Sequence, residues 1–276
     1  MEKQKQYELI SQLISPDSDL VRHHLDVLTE MVAIDSRSFS VNEFPGDRET
    51  PTDMKDILAL AEDYLKKIGF EKIIINQPPA ELEGATPILM AELHASPDKP
   101  TVLMYAHLDK QPYMDDQDFK KWGGVAPTQL RWNEDRSRAY GRGAADDLSG
   151  VVAIGMAVDA LVQLVGADPQ NIEETRDKLP CNLKVIYETE EESGSISLID
   201  QILQNREFFE DCDCVIITDV INPDTGVPGL TTSLRGILQL DVTLQKEEGA
   251  SLLSEQAGMY QVLSTLIHDD HSLAVE

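Results

Sequence analysis

Basic side chains are scarce in this 276-residue chain: 23 Lys and Arg stand against 50 Asp and Glu, a net charge of −27 at neutral pH. A field of that sign repels nucleic acid phosphates and anionic membrane surfaces, so neither is expected as a partner. The acids are spread along the chain and not blocked into a tail, which reads first as solubility and also favours local enrichment of divalent cations. Cysteine is scarce too. Cys181, Cys212 and Cys214 are too few, and odd in number, for a disulfide framework. They read as reduced structural thiols, with metal binding by Cys212-Asp213-Cys214 as the lesser alternative. The opening MEKQKQYELISQLISPDSDL holds no continuous apolar run, and no segment approaches the length of a membrane span, so a cytoplasmic protein is expected.

What is present is ordinary for a folded chain: 41% hydrophobic and 26% charged residues, enough to bury a core. Apolar residues recur with helical spacing over about 19–34 and 52–68, the second with Thr52 as N-cap and Gly69 as stop. KIIIN (72–76), PILMAEL (87–93) and TVLMYAHLD (101–109) read as strands. A polar stretch follows from Lys110 to Arg138, long enough to suggest a functional loop. Beyond it come a buried helix (VVAIGMAVDALVQLVGA), a strand at 182–188, a helix at 197–209 and a strand at 214–219. This alternation predicts an α/β fold, a mostly parallel sheet flanked by helices over residues 1–230. From about Thr231 the pattern changes to an alternating strand (233–245) and an amphipathic helix (252–270), the start of a smaller α+β unit over 231–276.

Ligands of open α/β sheets bind beyond the carboxyl ends of the strands. Four segments here end in suitable groups: His107-Leu108-Asp109, Asp146-Asp147, Glu190-Glu191-Glu192 and Asp219. Any one of them could be a helix cap or a solvated acid, as Asp147 ahead of LSGVVAIG could be. Four together, one with a histidine, point to a shared site. One imidazole and several carboxylates without thiolate suit Zn²⁺, with Mn²⁺ or Co²⁺ as alternatives. The surplus of carboxylates suggests two ions roughly 3.5–4 Å apart with a water between them, the arrangement of a hydrolase.

Tyr105-Ala106-His107-Leu108-Asp109, Tyr140-Gly141-Arg142-Gly143-Ala144-Ala145-Asp146-Asp147, Glu191-Glu192-Ser193-Gly194-Ser195 and Ile217-Thr218-Asp219 resemble, in order and spacing, the motifs of a two-zinc hydrolase family. That family includes carnosinase, acetylornithine deacetylase, succinyl-diaminopimelate desuccinylase and carboxypeptidase G. The Glu-Glu-Ser-Gly-Ser form and Ser233-Leu234-Arg235-Gly236 are most similar to its carnosinase-like dipeptidases. The resemblance implies a zinc-peptidase-like catalytic domain over 1–230 and the beginning of a lid and dimerisation domain over 231–276, with a homodimer formed through the completed lid. It implies His107 and Asp219 on one metal, Asp146 bridging both, Glu192 on the other, Asp109 orienting the His107 ring, and Glu191 as general base. It also implies a cis peptide between Asp146 and Asp147. Glu188 would be structural, and Glu190 would face solvent.

The pattern departs from the family in several places. Leu148 stands where the family has Lys, and Thr189 replaces a common Gly. Lys246–Ser251 lacks the lid histidine, and the family's last histidine ligand would fall after Glu276, so the resemblance covers the first part of a family chain. His268 and His271 read as solvated or dipole-compensating, and His23, His24 and His94 as surface or satisfied structural groups. The expected activity is metal-dependent hydrolysis of a peptide bond, as by a dipeptidase or aminopeptidase. Removal of the acyl group from an N-acyl amino acid, and a shortened non-catalytic chain, are the alternatives.

Overall fold

The computed structural model describes residues 2–38, 52–112, 120, 123–234, 236 and 252–266. Two compact units divide at Ile221/Asn222. The first begins with helices α1 (Glu2–Leu13), α2 (Asp19–Ala33) and α3 (Thr52–Lys67) and strands β1 (Lys72–Asn76), β2 (Ile88–Leu93) and β3 (Thr101–His107). A small hairpin of β4 (Arg131–Trp132) and β5 (Ala139–Tyr140) follows, inside the stretch read as one long loop. Next come α4 (Leu148–Val165), α5 (Ile172–Thr175), β6 (Asn182–Glu188), α6 (Leu198–Gln204), α7 (Arg206–Phe209) and β7 (Cys214–Ile217).

The five-stranded sheet has the order β1-β2-β6-β3-β7. It is mixed where the sequence suggested a mostly parallel one: β6 and β7 run parallel to β3, whereas β1 pairs antiparallel with β2 and β2 antiparallel with β6. The reason lies in the connections. A parallel return needs a crossover of about a dozen residues or more, and the link between β2 and β3 is only residues 94–100. The longer links that carry α4 and α6–α7 permit the parallel returns, so the carboxyl ends of β3, β6 and β7 lie on one side of the sheet.

Side-chain alternation along the strands fills two layers. Leu89, Ala91, Met104, Ala106, Val185 and Tyr187 pack with α2, α3 and α4, while Ile88, Met90, Leu103 and Ile186 pack with Phe208 of α7 and Leu198 and Ile202 of α6. The helix predicted over 197–209 is broken at Asn205, whose side-chain amide donates to the Gln201 carbonyl at 2.8 Å and ends α6 there. Thr52 is the first residue of α3, and Gly69, at φ +104, ends the turn that follows it. By length and a mean hydropathy of 2.0, α4 could cross a membrane, contrary to the expectation that no segment reaches that length. Half of it is buried, against the sheet and the neighbouring helices, and it carries Asp159. β7 is an edge strand, and its Val215, Ile216 and Ile217 are exposed.

The second unit, Asn222–Glu276, contains α8 (Leu252–Ser264) within the helix predicted over 252–270. Arg235, most of the strand expected at 233–245, Lys246–Ser251, His268 and His271 lie outside the described residues.

Candidate metal centre

β3 delivers His107, fully buried, at the carboxyl edge of the sheet. Its Nε2 lies 3.0 Å from Asp146 Oδ1, 3.9 Å from Glu191 Oε2 and 4.0 Å from Asp219 Oδ2. On the other side of the ring, Nδ1 faces the Asp109 carbonyl at 3.1 Å and the Asp109 carboxylate at 3.2 Å. That carboxylate also accepts the backbone N–H groups of Glu191, at 3.2 Å, and Glu192, at 3.0 Å. Asp109 therefore ties the end of β3 to the 3₁₀ turn Glu191–Ser193 that follows β6 and is closed by Gly194 at φ +95.

Asp146 is the most open of these groups, and the Asp146–Asp147 peptide is cis, as the resemblance implies. Asp147 precedes α4 but makes no side-chain capping bond; it is buried and accepts the His107 N–H at 3.3 Å. A Cβ at Gly150, in the first turn of α4, would come within 2.2 Å of Asp147 Oδ1 and 2.5 Å of Thr218 Oγ1. Only a residue without a side chain lets α4 start this close to β7. Thr218 donates its N–H to the Tyr105 carbonyl at 3.1 Å, which continues the β3–β7 pairing and sets Asp219 beside His107.

Two sets of possible ligand atoms converge within 4.8 Å: His107, Glu191 and Asp219, and His107, Asp146 and Glu192. Glu192 Oε2 accepts from the Gln111 amide at 2.5 Å, while Glu192 Oε1 is buried without a hydrogen-bond partner among the described residues. Burial, with the neighbouring carboxylates, raises the Glu191 and Asp219 carboxyls above the usual range, and burial also raises Glu192. Burial pulls the His107 imidazolium down, but its hydrogen bond to Asp109 and the charges of Asp109, Asp147 and Asp219 outweigh this and bring it to about 10. Ionised carboxylates only accept hydrogen bonds. An acceptor-rich cluster with an orphaned buried oxygen and one imidazole edge fits divalent cations.

The six residues singled out from the sequence, His107, Asp109, Asp146, Glu191, Glu192 and Asp219, thus lie together. Glu190 does not face solvent as expected. It is 2% exposed and accepts from the Thr86 N–H at 2.9 Å and from both the N–H and the hydroxyl of Ser197, bracing the chain ahead of α6. Glu188 is buried and structural as read, accepting from Tyr105 and Ser195, with burial raising it to about 7. Gln111 and Tyr105 were not singled out as site-shaping residues, since no residue type or spacing marks an amide or a phenol as such, and Asp147, named with the strand-end acids, was given no role there beyond a possible cap. His24 is a satisfied core histidine, 2.6 Å from the Tyr64 hydroxyl and 3.3 Å from Asp159. Cys212 and Cys214 are free and belong to neither ligand set. Leu148 and Thr189, the departures from the motif pattern, are both buried.

Residues 103–273 match the profile of peptidase family M20/M25/M40. The Beta-Ala-His dipeptidase of Mus musculus is 34% identical over 77% of this chain and 40% of its own length. The Cys-Gly metallodipeptidase DUG1 of Candida albicans is 31% identical over 74% of this chain and 42% of its own. In structure, human carnosine dipeptidase 1 superposes with a TM-score of 0.58 at 26% identity, over 78% of this chain and 41% of that one. The chain spans about two-fifths of the length of the curated relatives it matches.

Proposed function

Because the chain belongs to peptidase family M20/M25/M40, we propose that it carries the metal-binding machinery of a hydrolase of small peptides, dipeptides foremost, with two divalent cations held by His107, Asp146, Glu192 and Asp219. The observation that carries this reading is the convergence on one buried imidazole of two sets of carboxylates from separate segments, Glu191 with Asp219 and Asp146 with Glu192, each set within 4.8 Å. His107 and Asp219 would hold one cation and Glu192 the other, with Asp146 shared between the two. Zn²⁺ suits the imidazole–carboxylate set best, with Mn²⁺ or Co²⁺ as alternatives. Such cations act as Lewis acids and make a water acidic near neutral pH.

The chain's own groups do the rest. Asp109, accepting from Nδ1, leaves the His107 Nε2 lone pair for the metal. Glu191, with its carboxyl raised by burial, takes a proton from the attacking water and passes it to the leaving amine. The relatives named above as dipeptidases support the peptide substrate. The same reading gives residues 231–276 to the start of a lid through which two copies join, and the three free cysteines support a cytoplasmic setting.

The test is elemental analysis of protein supplied with zinc or manganese, together with a panel of dipeptides and of N-acetyl and N-succinyl amino acids. Two tightly held ions per chain, fewer in His107→Ala and Asp219→Asn, and dipeptide turnover lost in Glu191→Gln at full metal content support the proposal. Unchanged metal in His107→Ala and Asp219→Asn overturns the site. Turnover of the acylated compounds alone overturns the peptide substrate, and loss of an ion in Glu191→Gln makes that residue a ligand and not the base.

A further inference from the structure

We propose that Lys110 is a positioning residue for this centre, holding the end of β3 in register with the turn that leads to Asp146. The inference rests on reading His107, Asp146, Glu192 and Asp219 as metal ligands. Lys110 directly follows Asp109 and is fully buried, a rare setting for lysine. Its ammonium donates to the carbonyls of Met31 at 3.0 Å, Val32 at 3.1 Å, and Ile34. These lie at the C-terminal end of α2, whose last turn has no basic residue. The Met31 carbonyl also accepts the Ile34 N–H at 3.3 Å and the Ile34 carbonyl the Ser36 N–H at 3.0 Å, and the lysine adds a charged donor where the helix's own bonds run out. A cation supplied from the end of β3 satisfies that helix end and opposes its dipole.

The Lys110 backbone bonds to the segment leaving α2 in both directions: its N–H donates to Ser36 at 2.9 Å, and its carbonyl accepts from Ser38 at 2.7 Å. The aliphatic stem lies against the Gly-Arg-Gly turn, where a Cβ at Gly143 would come within 2.8 Å of Lys110 Cγ. One side chain therefore joins the exit of α2, the end of β3 and the turn three residues ahead of Asp146. The preceding residue, Asp109, bonds the His107 ring and the Glu191 and Glu192 backbones. A shift of the 109–110 peptide moves these groups together.

A purely structural lysine gives the control. Lys99, in the β2–β3 connection at the opposite end of β3, also donates to two backbone carbonyls, those of Asp177 and Leu179. The experiment titrates the metal-depleted full chain with Co²⁺, reading affinity and the visible d–d bands, and follows urea unfolding of each variant. Lys110→Met and Lys99→Met should both lose stability. Only Lys110→Met should also bind Co²⁺ about 10–100-fold more weakly, with altered bands. Lys110→Gln, which keeps two amide donors, should lie between Lys110→Met and the unsubstituted chain. Unchanged affinity and spectrum in Lys110→Met overturn the assignment alone, whereas failure of the unsubstituted chain to bind Co²⁺ overturns the metal-site reading and this assignment with it. If Lys110→Met does not fold, Lys110→Gln carries the test: Co²⁺ affinity equal to that of Lys99→Gln overturns the proposal, and weaker affinity supports it.

Discussion

Gly155→Ala should destabilise the protein, although the substitution falls in the middle of a helix. Exchanging Gly for Ala at an open helical position gains about 1 kcal/mol from propensity. Here the new Cβ would lie 1.8 Å from the Tyr64 hydroxyl oxygen, 2.3 Å from Cζ and 2.7 Å from Cε1. Tyr64 is 1% exposed, its ring is rigid, and its hydroxyl is held 2.6 Å from His24, whose other nitrogen faces Asp159 on α4. The ring has no solvent to swing into. Overpacking costs about 1–3 kcal/mol, and breaking the buried Tyr64–His24 bond costs about 1–3 kcal/mol more. After the propensity gain, a net loss of about 1–5 kcal/mol is expected, against a typical total stability of about 5–15 kcal/mol. Urea unfolding followed by circular dichroism measures it. Tyr64→Leu removes the clashing atoms, so in that background Gly155→Ala should be neutral or should gain up to about 1 kcal/mol. An equal cost in both backgrounds, or a Gly155→Ala chain as stable as the unsubstituted one, refutes the reasoning.

Glu190→Ala should cost about 2–4 kcal/mol in urea unfolding, because the buried N–H groups of Thr86 and Ser197 lose their acceptor; a loss under 1 kcal/mol would return Glu190 to solvent. Asp109→Ala should weaken metal binding by about 10–100-fold in a calorimetric titration, with unchanged affinity counting against its role toward His107. Without metal, stability should fall as pH rises. Burial lifts the Asp147 and Glu188 carboxyls to about 7, and the surrounding carboxylates hold His107 at about 10 against its burial. The folded state thus binds more protons than the unfolded state from roughly pH 4 to 8; above that, Lys110, lowered to about 8 by its burial, releases a proton that offsets the one His107 keeps. Chelator-treated protein should have a higher urea midpoint at pH 6 than at pH 9, with the difference shrinking when Zn²⁺ is restored; the opposite slope would be wrong for this cluster.

The strands and the site residues were legible because each carries a local signal. KIIIN and NLKVIYE are continuous apolar runs whose limits match β1 and β6, and the strand-end acids of β3, β6 and β7 sit where parallel strands present ligands. Glu190 was read as solvated because it has no role in the matched motif and nothing beside it in the chain marks it as buried. Its burial comes from Thr86 and Ser197, which only the β2–β6 pairing and the turn into α6 bring near it. Lys110 was passed over inside a polar stretch because its carbonyl partners lie 76–79 positions earlier. The mixed character of the sheet was hidden in the lengths of its connections, which apolar periodicity does not weigh.

The amino-acid order alone determined the α/β alternation, the imidazole and carboxylates at strand ends, and a donor set without thiolate suited to divalent cations, since each depends on residue type and near neighbours. Tertiary structure decided which oxygens face the His107 nitrogen, which glutamate of the run is buried, and how one lysine seals the end of α2. Those outcomes rest on contacts between segments far apart in the chain, where distance and burial, not residue identity, set whether a charged group is solvated, paired or left to hold a cation.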